Sequence, residues 1–389
     1  MSNEPASPSV PPENTPGSDK SSPPAYPLKR IVILAAIILC LSVLGVAAID
    51  NSTYLAAVCQ QQTFSPYSGT EDMQKGKGYQ ANYPLFAFDL RRMSIPRNQV
   101  RAGGVQKDEI PALVDTETET AEQSTHLNPR DRVVGVVLDG EARAYPIKIM
   151  RHHEIANDQL GGMDIAVTYC PLCDSVAVYD RNTEGGTVEL RVSGLVYQNN
   201  VLMFDRSQSE EDLESLWLQI GSKSVSGESK GEALDALPVE LTTWGEWKQR
   251  YPDTAVLIAD QGFSKDYENN PYAQYESSLA PMFEIANPDK RLPHKERVLG
   301  VWTEKTNRAY PVSLFSADKT TIEDEIGGLK IKLAYNPNTE SIRVVEADEG
   351  LEWMYSFWFA WAAIRRDTEI HNEDEVAAKL SLPNIGTPE

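Results

Sequence analysis

Cysteine is scarce in this chain. Its 389 residues include four, Cys40, Cys59, Cys170 and Cys173, too few to staple a fold of this size, so packing must hold it together. Basic residues are also in short supply: 36 lysines and arginines stand against 57 aspartates and glutamates, a net charge of −21. That balance argues against a nucleic-acid partner, which needs a basic surface to meet phosphate. Large apolar residues are nearly absent from Met1 to Pro27, a stretch rich in Pro, Ser, Glu and Asn. It cannot bury enough surface to offset the entropy of ordering, and a disordered cytoplasmic tail is expected.

Charge is then missing from Ile31 to Ile49, 19 residues of which only Cys40, Ser42 and Gly45 depart from an apolar side chain. A helix of that length crosses a bilayer core of roughly 30 Å. Lys20, Lys29 and Arg30 precede it, whereas Asp50 follows and the next cation is Lys75. The positive-inside bias puts the N-terminus in the cytoplasm and everything beyond residue 50 outside. The competing reading is a cleaved signal peptide with Val46-Ala47-Ala48 at the cleavage site, but the apolar run is long for a signal core and follows a polar leader. Residues 28–50 are therefore expected to be a single-pass anchor whose partner is the lipid bilayer. A stalk over 51–78, a folded ectodomain over 79–371 and a tail over 372–389 follow.

The ectodomain contains a repeat. Arg132-Val-Val-Gly-Val-Val-Leu-Asp-Gly-Glu-Ala-Arg-Ala-Tyr-Pro146 matches Arg297-Val-Leu-Gly-Val-Trp-Thr-Glu-Lys-Thr-Asn-Arg-Ala-Tyr-Pro311 at eight of 15 positions, where composition alone gives about one. After a one-residue slip Gly161-Gly162 falls on Gly327-Gly328, Tyr169 on Tyr335, Pro171 on Pro337 and Ser175 on Ser341. One copy covers about 130–180 and the other about 295–346. Apolar alternation and β-branched residues predict strands over Val133–Val137, Asp164–Tyr169 and Val176–Tyr179. Ile147, Met150, Ile155 and Leu160 fall on roughly one helical face, so a helix is expected up to the Gly-Gly turn. Two more strands are expected within Val188–Phe204, and a short helix capped by threonine within Thr242–Arg250. Trp353–Ile364 is too short to span a membrane and reads as an aromatic core helix. The fold class is α+β, a strand-rich ectodomain with an internal duplication.

The two copies share scaffold residues but not reactive ones. Cys170 and Cys173 of the first face Asn336 and Thr339 of the second, and His152 and His153 face Asp318 and Lys319. Thiols required for packing alone would be expected twice. Two cysteines three apart in a tight turn suit a disulfide, a reactive thiol pair or chelation of one metal ion. A thioredoxin-like pair opens a helix, but here a strand follows, as in the knuckle of a zinc ribbon. The second cysteine pair of such a site is missing, so His153 and Glu154 are the nearest further donors. On the expected helix His153 and Asn157, and Glu154 and Asp158, share faces. Histidine at this distance could act as base, activate a thiol or bind metal.

A set of ordered blocks carries a family resemblance: Ala144-Tyr-Pro146, His153-Glu154, Asn157-Asp158, Thr168-Tyr-Cys-Pro-Leu-Cys173, Val192-Ser-Gly-Leu195, Leu202-Met-Phe-Asp-Arg206, Leu216-Trp217, Thr242-Thr-Trp244, Tyr251-Pro-Asp-Thr254, Leu292-Pro293 and Lys295-Glu-Arg-Val-Leu-Gly300. From about residue 80 to 370 the chain resembles domain-of-unknown-function family 3179, found mostly in bacteria and archaea and commonly exported. His153 and Glu154 stand at its His-Glu positions and Cys170 and Cys173 at its paired cysteines. His152 stands where the family often has an aromatic residue.

The leading expectation is an exported thiol redox protein with Cys170 as nucleophile, Cys173 as resolving thiol, His153 influencing thiolate formation and Glu154 as a further candidate. Its redox or envelope partner is not specified. A metal module ligated by Cys170, Cys173 and His153, holding a zinc-type or other transition-metal ion, is the second expectation. A non-catalytic envelope interaction protein is the third.

Overall fold

The computed structural model describes residues 84–206 and 214–381. The expected tail, the Ile31–Ile49 span, the stalk, Cys40 and Cys59 lie outside them. Among the described residues no helix is long and apolar enough to cross a membrane.

Each repeat begins with an antiparallel hairpin. In the first, β1 (Arg132–Leu138) pairs with β2 (Glu141–Pro146), leading into helix α1 (Ile147–His153). Three strands follow, β3 (Ile155–Leu160), β4 (Met163–Cys170) and β5 (Ser175–Asp180), paired in sequence order. The expected helix is thus corrected: it stops at His153, and Gly161-Gly162 turn a hairpin rather than cap a helix. Asn157 and Asp158 sit on β3, where successive side chains alternate across the sheet, so the predicted helical faces do not exist.

An insertion supplies β6 (Leu190–Tyr197), β7 (Asn200–Asp205), β8 (Leu216–Leu218) and β9 (Lys223–Ser226). With Val100–Ala102 they make a five-stranded sheet. Next come β10 (Glu240–Thr243), α2 (Trp244–Arg250) and β11 (Ala255–Leu257). Thr243 caps α2 through its side chain to the Glu246 amide, as the threonine pair predicted.

The second repeat runs β12 (Arg297–Trp302), β13 (Asn307–Pro311), a single 3-10 turn at Val312–Leu314 in place of α1, then β14 (Thr321–Ile326), β15 (Leu329–Asn336) and β16 (Ser341–Ala347). It closes with β17 (Glu352–Phe357), α3 (Trp358–Ile364) and β18 (Glu369–Ile370). The aromatic segment therefore divides into a strand and a buried helix. Part of the expected C-terminal tail is a helix, Glu373–Ser381, with Val376 buried.

The duplication is wider than the matching segments. β10 pairs antiparallel with β1 and β11 pairs parallel with β2, while β17 and β18 do the same to β12 and β13. Trp247 covers Gly135 and donates its indole N–H to Thr254 Oγ1 at 3.0 Å. Trp361 covers Gly300 and donates to Thr368 Oγ1 at the same distance. A Cβ on Gly135 would lie 2.1 Å from the Trp247 ring, and one on Gly300 2.3 Å from that of Trp361, so both strands need glycine for close approach.

The copies interlock. β3-β4-β5 of the first joins β17-β12-β13-β18 of the second in one nine-stranded sheet. Reciprocally, β14-β15-β16 lies beside the first copy's β10, where Glu246 accepts hydrogen bonds from Thr339 and Ser341. Each copy also holds the same polar triad: Asp158 accepts from Arg143 at 2.6 Å and Tyr145 at 2.8 Å, and Asp324 from Arg308 at 2.8 Å and Tyr310 at 2.6 Å.

Candidate functional site

The Cys-Pro-Leu-Cys segment closes the β4–β5 hairpin. Cys173 N–H donates to Cys170 O at 3.3 Å, and Asp174 leaves the turn with φ of 46°. Zinc-knuckle turns often carry glycine there because that left-handed conformation strains a side chain. Here Arg132 holds the Asp174 carboxylate through two hydrogen bonds of 3.0 and 2.9 Å. The second repeat makes the same turn, with Glu340 at φ of 51° bonded by Arg297 at 2.5 Å. The loop geometry is therefore scaffold, and the thiols are added to it.

Both thiols are free and almost wholly buried, with Cys170 1 % and Cys173 0 % exposed. Cys170 donates to the Asn199 carbonyl at 3.6 Å. Cys173 Sγ lies 3.1 Å from Ser175 Oγ and accepts from Asn200 Nδ2 at 3.3 Å. Ser175 and Asn200 converge on Gln219 Oε1 at 2.5 and 2.7 Å, while Gln219 Nε2 donates to Thr168 Oγ1 at 2.8 Å. With its proton committed to Gln219, Ser175 receives the hydrogen of Cys173. In the second repeat Thr339 stands in the same relation to Ser341, oxygen to oxygen at 2.8 Å.

Glu154 is the residue brought to Cys170. It ends α1 in a strained conformation, φ 59° and ψ −30°, of a kind that costs about 1–3 kcal/mol and persists where surrounding structure imposes it. Its carbonyl accepts from Tyr169 N–H at 2.7 Å, as that of Thr320 accepts from Tyr335 at 2.7 Å. Thr320 is thus its counterpart, and Thr320 has no positive φ. Glu154 and Cys170 both line a cavity of about 50 Å³ between the turn and β6, with Tyr272 and apolar residues including Val192, Leu195 and Val201.

Charge is disfavoured in this cavity. Burial pushes the Glu154 carboxyl well above its ordinary range, the neighbouring Cys170 adds to the shift, and the Tyr272 hydroxyl, bonded at 3.3 Å, opposes it. Burial also pushes the Cys170 thiol well up, with contact from Cys173 acting in the same direction. The backbone N–H groups of Val201 and Leu172 act against this, favouring a thiolate when one forms.

His153 is not assembled with the sulfurs. Its Nδ1 meets the Pro111 carbonyl and its Nε2 the Tyr267 hydroxyl, each at 2.7 Å. The carbonyl can only accept, so Nδ1 carries the hydrogen and Nε2 accepts from tyrosine. Burial lowers its pKa to about 4. His152 bonds the Asn269 carbonyl at 2.9 Å. With both His153 nitrogens engaged, the Cys170, Cys173 and His153 donor set does not fit a metal ion. Among the described residues no group of three or more His, Cys, Asp or Glu could hold one.

Sequence reasoning missed the cover over the site. Residues 258–296 form a long strap with one short helix, Ala273–Glu276. From it Tyr267 reaches His153, Tyr272 reaches Glu154, and the Tyr275 hydroxyl donates to the Leu172 carbonyl inside the cysteine turn. Phe283 N–H donates to Asn199 Oδ1 at 2.7 Å and Ala286 N–H to Gln198 Oε1 at 3.0 Å, pinning the strap to the β6–β7 turn. Three tyrosines within nine residues, Tyr267, Tyr272 and Tyr275, were the available signal. Asn199 and Asn200 do sit at the turn their sequence predicted, but Asn200 also supplies a contact to Cys173.

The family model described as a protein of unknown function, DUF3179, matches residues 107–368. The chain belongs to this family. Within DUF3179 bounds lie both repeats' hairpins, the cysteine turn, Glu154 and the strap. Neither a curated protein nor a solved structure matches the chain.

Proposed function

We propose that the chain is a thiol redox protein in which Cys170 meets the substrate, Cys173 resolves the adduct and Glu154 handles the proton. The observation that carries this reading is the shared cavity: Cys170 and Glu154 line it together, whereas their counterparts are Asn336 and Thr320. Cys170 forms a covalent bond to an oxidised substrate as that substrate's own bond breaks. Cys173 then attacks the Cys170 sulfur, and the reduced substrate departs with the protons of the two thiols. A Cys170–Cys173 disulfide remains. A neutral carboxyl beside the reacting sulfur suits proton transfer to a leaving group. His153 acts at one remove, tying α1 to Pro111 and to the strap.

On this reading Ile31–Ile49 anchors the protein in a membrane with the thiol domain outside the cytoplasm, where oxidants are available to the pair. Treating the reduced protein with a disulfide and, separately, with a peroxide, then re-reducing it with a thiol and mapping the peptides at each stage, tests the redox assignment. The expected result is a reversible Cys170–Cys173 disulfide. Two sulfurs that stay reduced with both oxidants would refute it.

A further inference from the structure

The cavity limits what can oxidise the pair, an argument that rests on the thiol redox reading above. Its volume is about 50 Å³, against roughly 10–15 Å³ for one water on a comparable measure. A molecule of a few heavy atoms fits, whereas a peptide disulfide or glutathione disulfide does not. The side chains on its wall able to hydrogen-bond are Glu154, Cys170 and Tyr272, and no lysine, arginine or histidine lines it. An anionic oxidant would lose its hydration without finding a counter-charge. The strap tyrosines Tyr272 and Tyr275 lie over the same turn, so a large partner cannot reach the sulfur from that side without breaking their hydrogen bonds.

We propose that the oxidant of the Cys170–Cys173 pair is a small neutral hydroperoxide, reduced between the Cys170 sulfur and the Glu154 carboxyl. The sulfur attacks one peroxide oxygen and the O–O bond breaks. The departing oxygen takes the Glu154 proton, and the carboxylate recovers one from the Cys170 thiol, so the cavity never holds net charge. The products are a Cys170 sulfenic acid and an alcohol, or water when the oxidant is hydrogen peroxide. The Cys173 sulfur then displaces the sulfenic hydroxyl, which leaves as water with the Cys173 proton. In total, two thiols and one hydroperoxide give one disulfide, one alcohol and one water.

A single-turnover experiment on the reduced full-length protein tests this, with hydrogen peroxide and glutathione disulfide compared at equal concentration. Closure of the Cys170–Cys173 pair is read by peptide mass mapping after timed quenching. The expected result is faster closure by hydrogen peroxide, slowed about 10²-fold or more by Glu154→Gln, the usual scale for removing a general acid. Circular dichroism establishes whether that variant folds; if it does not, the ratio of the two oxidants on the unaltered protein decides alone. Faster closure by glutathione disulfide would overturn the hydroperoxide assignment and leave the thiol redox reading standing. A folded Glu154→Gln protein that closes at the unaltered rate would likewise overturn it. Closure by neither oxidant would sink both.

Discussion

In the first repeat the turn after β4 carries Cys170 and Cys173, a strained Glu154 stands beside them, and the inserted β6–β7 hairpin with the 258–296 strap roofs them over. In the second, the turn after β15 has the same backbone bend but carries Asn336 and Thr339. Thr320 stands in place of the glutamate, and the turn lies beside Glu246 of the other copy. What the two have in common is therefore a specification of the scaffold: an Arg-Tyr-Asp triad, a glycine under a tryptophan, and an ion pair across the turn. What they do not share is α1, the insertion and strap that follow the first copy's turn, and a few side chains around the one small cavity those segments cover. Gene duplication followed by loss or gain of chemistry in one copy leaves this pattern, because packing constrains both copies while reactivity constrains one.

The comparison can be broken most forcefully at the two glycines. Gly135→Ala and Gly300→Ala should each destabilise the domain by about 3 kcal/mol, since the added methyl overlaps a buried indole and neither backbone can retreat. Denaturant unfolding of the two variants measures this, and costs equal to within about 1 kcal/mol are expected. A cost at one glycine alone would show that the two scaffolds are not equivalent.

A smaller effect separates the repeats by pH. His153 is buried and neutral, with its pKa lowered from 6.5 to about 4, while its counterpart Lys319 is ion-paired to Glu375. Between those two values the unfolded histidine takes up a proton that the folded one refuses. Stability from this group is fully present above pH 6.5 and is lost as pH falls towards 4, with an upper bound of about 3 kcal/mol from the size of the shift. His153→Gln should flatten that part of the stability profile. A profile in His153→Gln as steep as in the unaltered protein would show that the imidazole is charged or solvated in the folded state.

Much of this architecture was legible in the sequence. The strands at 132–138, 163–170 and 175–180 announced themselves through β-branched residues, and the repeat through Arg-Ala-Tyr-Pro. β3 was concealed because Asn157 is a buried polar residue in a strand. Its amide donates to the Leu190 carbonyl and accepts from the Leu190 amide, each at 2.8 Å, so an apolar alternation was never required. The wider repeat was also present, in Trp244, Trp247, Asp253 and Thr254 against Trp358, Trp361, Asp367 and Thr368, but at a different spacing from the hairpins because the intervening insertion occurs once. The cysteines were singled out by their absence from the twin. Their expected companion was His153, with Glu154 only a further candidate, because a helix was expected to continue past residue 153. The helix actually ends there, sending Glu154 into the cavity and leaving His153 between Pro111 and Tyr267.

If the thiols serve chemistry and the scaffold does not need them, replacing Cys173 with its twin's residue separates the two roles. Cys173→Thr keeps a donor beside Ser175 like that of Thr339 beside Ser341. The melting temperature of this variant and the oxidation state of Cys170 after hydrogen peroxide, read by peptide mass, should be measured on the same sample. A stability change within about 1 kcal/mol is expected, together with oxidation that stops at a Cys170 sulfenic acid in place of the disulfide. A protein that unfolds on this substitution, or whose Cys170 does not react with the peroxide, would contradict it.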